Sequence, residues 1–181
     1  MPSPPRKRRW VWFFVILAVL GTAAILINLA YNVLQQLKPE QLAAARALWE
    51  ENAPADYDLD YVVKDEDATG GTEPLRLAVE KISVHVRDGK VQAVSRNGLE
   101  VPAEEQGGYG IGPLFNLIQA HLEKDGQAGQ PRTFAHALFD KADGHPIHYV
   151  RRVMGTRRRL EIIIQLTDPS DPAPKPPLLP T

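Results

Sequence analysis

The chain opens with an unbroken apolar segment, and shorter apolar patterns follow it. Residues 10–30 contain no charged side chain, and Asn28 is their one strongly polar residue. A helix of about 20 residues crosses a hydrocarbon core of ~30 Å. The length of the segment, and the lack of an Ala-x-Ala cleavage pattern in residues 28–34, favour a retained anchor over a cleaved signal peptide or a buried core helix. We therefore expect a single transmembrane helix over residues 10–34.

Two later segments repeat apolar residues with the period of a helix and predict two amphipathic helices. The first is residues 39–52, which begin with Pro39, a residue suited to the first turn. It either continues from the membrane span or is separated from it by a break at Lys38-Pro39. The second is residues 113–124. The two apolar faces contain Leu42, Ala45, Leu48 and Trp49 in the first helix and Leu114, Leu117, Ile118 and Leu122 in the second.

The remaining apolar residues alternate with polar ones, as they do in strands. Three strands are expected on each side of the second helix, within residues 57–63, 75–86, 91–94, 132–139, 147–154 and 158–167. Asp88-Gly89, Asp143-Gly144 and Gly155-Thr156 are typical of hairpin turns. The alternation changes parity between Val79 and Ile82, which predicts a bulge or a short break there.

The short connections imply antiparallel pairing, because a parallel crossover needs a dozen or more residues. The sequence therefore predicts the α+β class: an N-terminal single transmembrane helix followed by a two-layer antiparallel sheet domain of about six strands with two helices. The expected organisation is a basic cytoplasmic stub (1–9), the transmembrane anchor (10–34), an extracytoplasmic α+β domain (35–167) and a proline-rich disordered tail (168–181).

Charge predicts the orientation of the span. Four consecutive cations, Arg6, Lys7, Arg8 and Arg9, precede it, and Glu40 is the first acidic residue. The positive-inside rule then places the N-terminus in the cytoplasm and the domain in the periplasm or outside the cell.

Composition limits the chemistry that the domain can perform. The chain has 21 basic and 22 acidic residues, so removing the four N-terminal cations leaves 17 basic and 22 acidic residues, a net charge of about −5. An acidic domain argues against nucleic acid as a partner. The absence of cysteine excludes disulfides, thiolate metal sites and a cysteine nucleophile.

The strongest candidate for a partner surface is an arginine patch formed by Arg157, Arg158 and Arg159. These residues crowd the end of a predicted hairpin on an otherwise acidic domain. Anionic lipid headgroups, a cell-wall polymer or an acidic envelope protein are the partners that such a patch fits. The alternative is a charged sheet edge that only discourages aggregation.

Two weaker candidates concern ligands. Gly108, Gly110 and Gly112 precede the second helix and suit an anion at its N-terminus, although the Lys-Ser/Thr of a phosphate-binding loop is missing. His136 and His148 face each other across a predicted hairpin, but zinc normally needs three or four ligands and only Asp143 is a nearby carboxylate. No catalytic residue, resident metal or cofactor is predicted.

Several motifs together resemble a known family. They are Trp49 in an opening helix, the strand Tyr57–Tyr61, the hairpin Val84–Val91, the helix start Gly112–Phe115 and the turn Asp143–Pro146. With them, residues 45–167 resemble the bacterial envelope proteins grouped as domain of unknown function 6174. Members of that family often carry a lipoprotein signal and a cysteine pair, both of which this chain lacks. The resemblance implies an envelope location and no particular activity.

The leading functional hypothesis is a single-pass envelope protein whose exported domain binds a partner or ligand without catalysis. One alternative is a small extracytoplasmic hydrolase with its site near Gly108–Gly112 or at the His136/His148 pair. Another is a subunit of a membrane complex that assembles through its span.

Overall fold

The computed structural model describes residues 7–67 and 76–169, and the chain divides after Gln36 into two compact units. The helices are α1 (Lys7–Leu34), α2 (Pro39–Asn52) and α3 (Ile111–Asp125). The strands are β1 (Tyr57–Asp67), β2 (Arg76–Arg87), β3 (Lys90–Arg96), β4 (Leu99–Glu100), β5 (Thr133–Phe139), β6 (Pro146–Val153) and β7 (Arg159–Thr167).

The first unit consists mainly of α1, a continuous helix that is long and apolar enough to span a membrane. Its segment Trp10–Ile27 has a mean hydropathy of 2.5, and every side chain of that segment is exposed. The core helix of a soluble protein would instead bury such side chains. The helix ends at Leu34 and α2 begins at Pro39, so the break at Lys38-Pro39 is the alternative that the structure adopts.

The second unit contains an antiparallel sheet of seven strands in the order β4-β3-β2-β1-β7-β6-β5. The long strand β1 lies at its centre and pairs with β2 from Tyr57↔Val86 to Asp67↔Arg76 and with β7 from Asp58↔Thr167 to Glu66↔Arg159. The predicted α+β class, with an antiparallel sheet and two helices after the N-terminal span, is confirmed.

The core lies between one face of this sheet and the helices α2 and α3. Leu59, Val84 and Tyr149 come from the sheet and are fully buried, as is Ile118 from α3. Trp49 of α2 is also buried and packs edge-on against Tyr57. Alternate residues of every strand point to the opposite face, which no element of the described residues covers. That face is called the open face below.

Tight turns set the strand pairing at the β4 edge. Asp88 and Gly89 both have positive φ, as the predicted hairpin turn requires. Asn97 and Gly98 repeat this geometry with φ of 54° and 79° and add β4 to the sheet. The sequence analysis predicted no strand between residue 94 and the second helix and therefore missed this seventh strand.

The irregularity predicted between Val79 and Ile82 is wrong. The pairing of β2 with β1 runs without interruption through these residues, and the bulge lies between His85 and Val86 in the pairing with β3. Val79 belongs to the open face, where it is 44% exposed. The apparent change of parity arose because an apolar residue stands on the solvent side. The stub residues 1–6 and tail residues 170–181 lie outside the described residues.

Candidate anion-binding site

The turn between β6 and β7 holds the predicted arginine patch in a defined shape. Val153 N–H donates to the carbonyl of Arg158 at 3.1 Å, and the Thr156 hydroxyl donates to the carbonyl of Val153 at 2.9 Å. The same hydroxyl accepts the N–H of Arg158 at 3.1 Å. These bonds are made by backbone groups and a hydroxyl, so none of them engages an arginine side chain of the turn.

The arginines of this turn line a groove of about 570 Å³ together with residues of β1 and β6. Arg152 extends into the same surface because it stands opposite Arg159 on the open face, and Glu66 stands opposite Arg159 on the other side. The arginine groove, as we call it, is lined by Glu66, Arg152, Arg157, Arg158 and Arg159 with the turn residues 153–156.

Two arginines of the groove already have carboxylate partners. The Arg158 guanidinium donates two hydrogen bonds to Asp67 at 3.0 and 2.9 Å, and this contact raises the pKa of Arg158. Arg159 Nη2 lies 3.2 Å from Glu161 Oε2. The Nε atom of Arg159 is buried and has no hydrogen-bond acceptor among the described residues.

Arg152 and Arg157 differ from these two, because neither forms an ion pair with any residue that the structure describes. Both are exposed. A guanidinium group presents five N–H donors and matches carboxylate and phosphate oxygens in pairs. The groove therefore offers an anion two guanidinium groups that form no ion pair with the described residues.

The predicted pair of His136 and His148 lies on the neighbouring strands β5 and β6, and a joint site there stays a prediction. His148 Nε2 contacts Glu161 Oε1 at 2.9 Å, whereas His136 stands opposite Val150. His148 lowers the pKa of Glu161, and Arg159 adds to this effect. The sequence analysis did not identify Glu161 as a partner of His148. The antiparallel register of the β6–β7 hairpin could have identified it, because this register places both residues on the same face.

The predicted glycine loop serves the start of α3. Gly108 ends a short 3-10 helix, Gly110 is the N-cap with φ of 116°, and Gly112 lies in the first turn. The backbone of Ile111 hydrogen-bonds the Tyr57 hydroxyl, while burial raises the pKa of that phenol. A side chain of the protein therefore contacts this helix end, which is where an anion was expected.

One group of metal-ligand side chains lies in the turn between β5 and β6. Ligand atoms of Asp140, Asp143 and His145 lie within 4.8 Å of one another. The carboxylates are engaged in the turn, since Asp140 accepts the N–H of Ala142 at 2.7 Å and Asp143 accepts the N–H of His145 at 2.9 Å. His145 Nδ1 also contacts Asp143 at 2.6 Å. These contacts are typical of Asx turns and account for the group without a cation.

A second cavity, of about 410 Å³, lies between α2 and α3 and is mainly apolar. Arg46 borders it, donating to Gln119 at 2.9 Å and to Asn116 and lying 5.5 Å above the ring of Phe115. This arginine is therefore committed to holding the two helices together.

Polar side chains at the far end of the open face also pair with one another. Asp58 contacts His85 at 2.9 Å and Arg87 at 2.8 Å, and the Arg87 contact lowers the pKa of Asp58. Ser83 donates to Asp60 at 2.5 Å. Ser83 therefore bonds Asp60, and His85 bonds Asp58. In a nucleophilic triad the serine would instead bond the histidine.

Comparison with known proteins finds no matching family model, curated protein or solved structure. The resemblance to domain of unknown function 6174 therefore stays a prediction.

Proposed function

We propose that this chain is a single-pass membrane protein of the cell envelope, with its N-terminus in the cytoplasm and its sheet domain in the periplasm or outside the cell. The exposed apolar surface of α1 supports the anchor, because a bilayer would cover it. The cations Arg6 to Arg9 support the orientation.

The domain binds an anionic partner through the arginine groove and does not catalyse a reaction. The observation that carries this proposal is that Arg152 and Arg157 line one groove and form no ion pair with a carboxylate of residues 7–67 or 76–169. Because the domain as a whole is acidic, a basic groove on it selects anions by attraction and disfavours cations.

The position of the polar clusters supports a binding role. The His148–Glu161 and Asp58–His85 contacts lie on the open face, and the Asp143–His145 contact lies inside a turn. Enzymes place acid–base groups in clefts that exclude water and hold the substrate. None of these paired residues lines either of the two cavities described above. The hydrolase alternative and the alternative of assembly through the span remain predictions.

Orientation can be tested with single cysteines, since the native chain has none. Ser3→Cys and Asp88→Cys variants are treated in intact cells with a membrane-impermeant maleimide. We expect labelling of the Asp88→Cys variant alone; labelling of the Ser3→Cys variant alone would contradict the proposed orientation.

Anion binding can be tested with the detergent-solubilised full chain and polyphosphate as the probe, by calorimetry at several salt concentrations. The double variant Arg152→Gln/Arg157→Gln is expected to bind on the order of tenfold more weakly. The matched control is Lys90→Gln/Lys141→Gln, which removes the same charge from two exposed residues at the opposite end of the sheet. Equal losses in the two variants would show general electrostatic attraction and refute a defined groove.

A further inference from the structure

Building on the proposed function, we propose that the anionic partner of the arginine groove is the surface of the bilayer in which the chain is anchored, through its anionic phospholipid headgroups. Three observations carry this inference. They are the position of Leu37, which attaches the domain to α1, the exposed cations near it in the domain, and the exposed side chain of Met154 in the groove.

The attachment point of the domain lies beside the groove. Leu37 is buried in the domain core, and its N–H donates to the carbonyl of Ala135 on the edge strand β5 at 2.7 Å. Arg152 stands one strand across and one residue along from Ala135. With strands ~4.8 Å apart and a rise of ~3.3 Å per residue, these two Cα atoms are about 6 Å apart.

A short covalent connection tethers this end of the domain to the end of α1. Only Gln35 and Gln36 separate Leu37 from the last residue of α1, and three residue steps reach at most ~11 Å. This limit holds whatever the angle between the two units. The residue from which the domain is tethered, Leu37, therefore lies beside the arginine groove, whereas the turn at Asp88-Gly89 is at the opposite end of the sheet.

Further cations surround the attachment point. Lys38 follows Leu37 directly and is exposed. Arg132 is also exposed, and its carbonyl accepts the N–H of Met154 in the groove at 2.7 Å. Arg152 and Arg157 are also exposed, which gives four exposed cations along this part of the domain. Attraction of cations to an anionic surface grows with each added charge.

An apolar side chain among these cations favours a lipid surface over a soluble polymer or an acidic protein. Met154 lines the groove and is 58% exposed. Exposed apolar residues beside arginines are typical of surfaces that lie in the headgroup region, where the apolar group enters the acyl boundary and the cations remain among the phosphates. A soluble polyanion gives such a side chain no environment better than water.

The test places a fluorescent label in the groove of the full chain reconstituted into nanodiscs. Met154→Cys is labelled with an environment-sensitive dye and quenched by lipids with a nitroxide on the headgroup, and Asp88→Cys is the control for the opposite end. We expect strong quenching at position 154 in discs with 30% anionic phospholipid, weaker quenching in zwitterionic discs or at high salt, and little quenching at position 88.

Adding Arg152→Gln/Arg157→Gln to the labelled chain is expected to reduce the quenching at position 154 in anionic discs, while Lys90→Gln/Lys141→Gln is expected to leave it unchanged. Quenching that is independent of lipid charge, or equal at positions 154 and 88, would overturn the inference. If quenching fails but polyphosphate still binds in an arginine-dependent way, the partner is a soluble polyanion or an acidic protein and the proposed function stands. If both fail, both proposals fall.

Discussion

Gly144 holds the turn between β5 and β6 against α2, and its replacement by alanine is expected to destabilise the domain strongly. The residue has φ of +83°, and a Cβ placed on it would lie 2.2 Å from the carbonyl oxygen of Ala45 and 3.1 Å from the backbone nitrogen of Trp49. Both atoms belong to the backbone of α2, so a rotamer change cannot relieve the contact. The turn or the helix would have to move.

The magnitude follows from three effects. An alanine in the left-handed region costs about 1–2 kcal/mol, and its smaller entropy in the unfolded chain returns about 0.4–1 kcal/mol. Overpacking a tight contact costs a further ~1–3 kcal/mol. We expect Gly144→Ala to lower the free energy of unfolding by about 1–5 kcal/mol. Gly155→Ala is the matched control: its φ is +76° but no atom lies within 4 Å of the added Cβ, so only the first two effects apply.

The assay is urea unfolding of the full chain in detergent, followed by tryptophan fluorescence. Trp10→Phe and Trp12→Phe leave Trp49 as the single reporter among the three tryptophans. Trp49 is suited to this role because its ring lies 6.2 Å from that of His145, in the turn under study. If Gly144→Ala and Gly155→Ala lose the same free energy, the contact between the turn and α2 does not constrain the fold and the reasoning is refuted.

Three further predictions concern the stability of the domain. Ile118→Ala is expected to cost about 2–5 kcal/mol in urea unfolding because Ile118 is fully buried, and Leu117→Ala, at a position 39% exposed on the same helix, is expected to cost clearly less. Burial, reinforced by Arg151, lowers the pKa of His121, so stability is expected to fall as the pH drops below 6.5, and the urea midpoint of His121→Asn should not show this fall. Burial of Asp125 opposes its ionisation, but hydrogen bonds from Arg151 and other groups leave its pKa below 3.8. Arg151→Gln is therefore expected to cost about 2–3 kcal/mol at pH 7, a deficit that should shrink on titration below pH ~4.

Local signals predict much of the fold because they act over a few residues. Pro39 at the start and the Asn52-Ala53-Pro54 segment at the end define α2 within the predicted bounds. The pair Asp88-Gly89 fixes one hairpin. The pair Asn97-Gly98 has the same chemistry, and the β4 strand that follows it was missed because a strand of two residues has no detectable alternation.

The groove was predicted only in part, because its composition depends on pairing between distant residues. The sequence indicates Arg157, Arg158 and Arg159, but Asp67 reaches Arg158 only through the register of β1 with β7. No local pattern tells which arginine is neutralised by a carboxylate some 90 residues earlier. Arg152 joins the groove through a second register, that of β6 with β7.

The two ends of the open face show what makes one of them a candidate binding site. At one end, Asp58 is shared between His85 and Arg87, so the charges are satisfied within the protein. At the other end, Arg152 and Arg157 form no ion pair with the described residues. Both ends are rich in charge, and an anion gains little at the first because it would have to displace Asp58 from its partners. The distinguishing property of the arginine groove is therefore its unpaired cations and not its number of arginines.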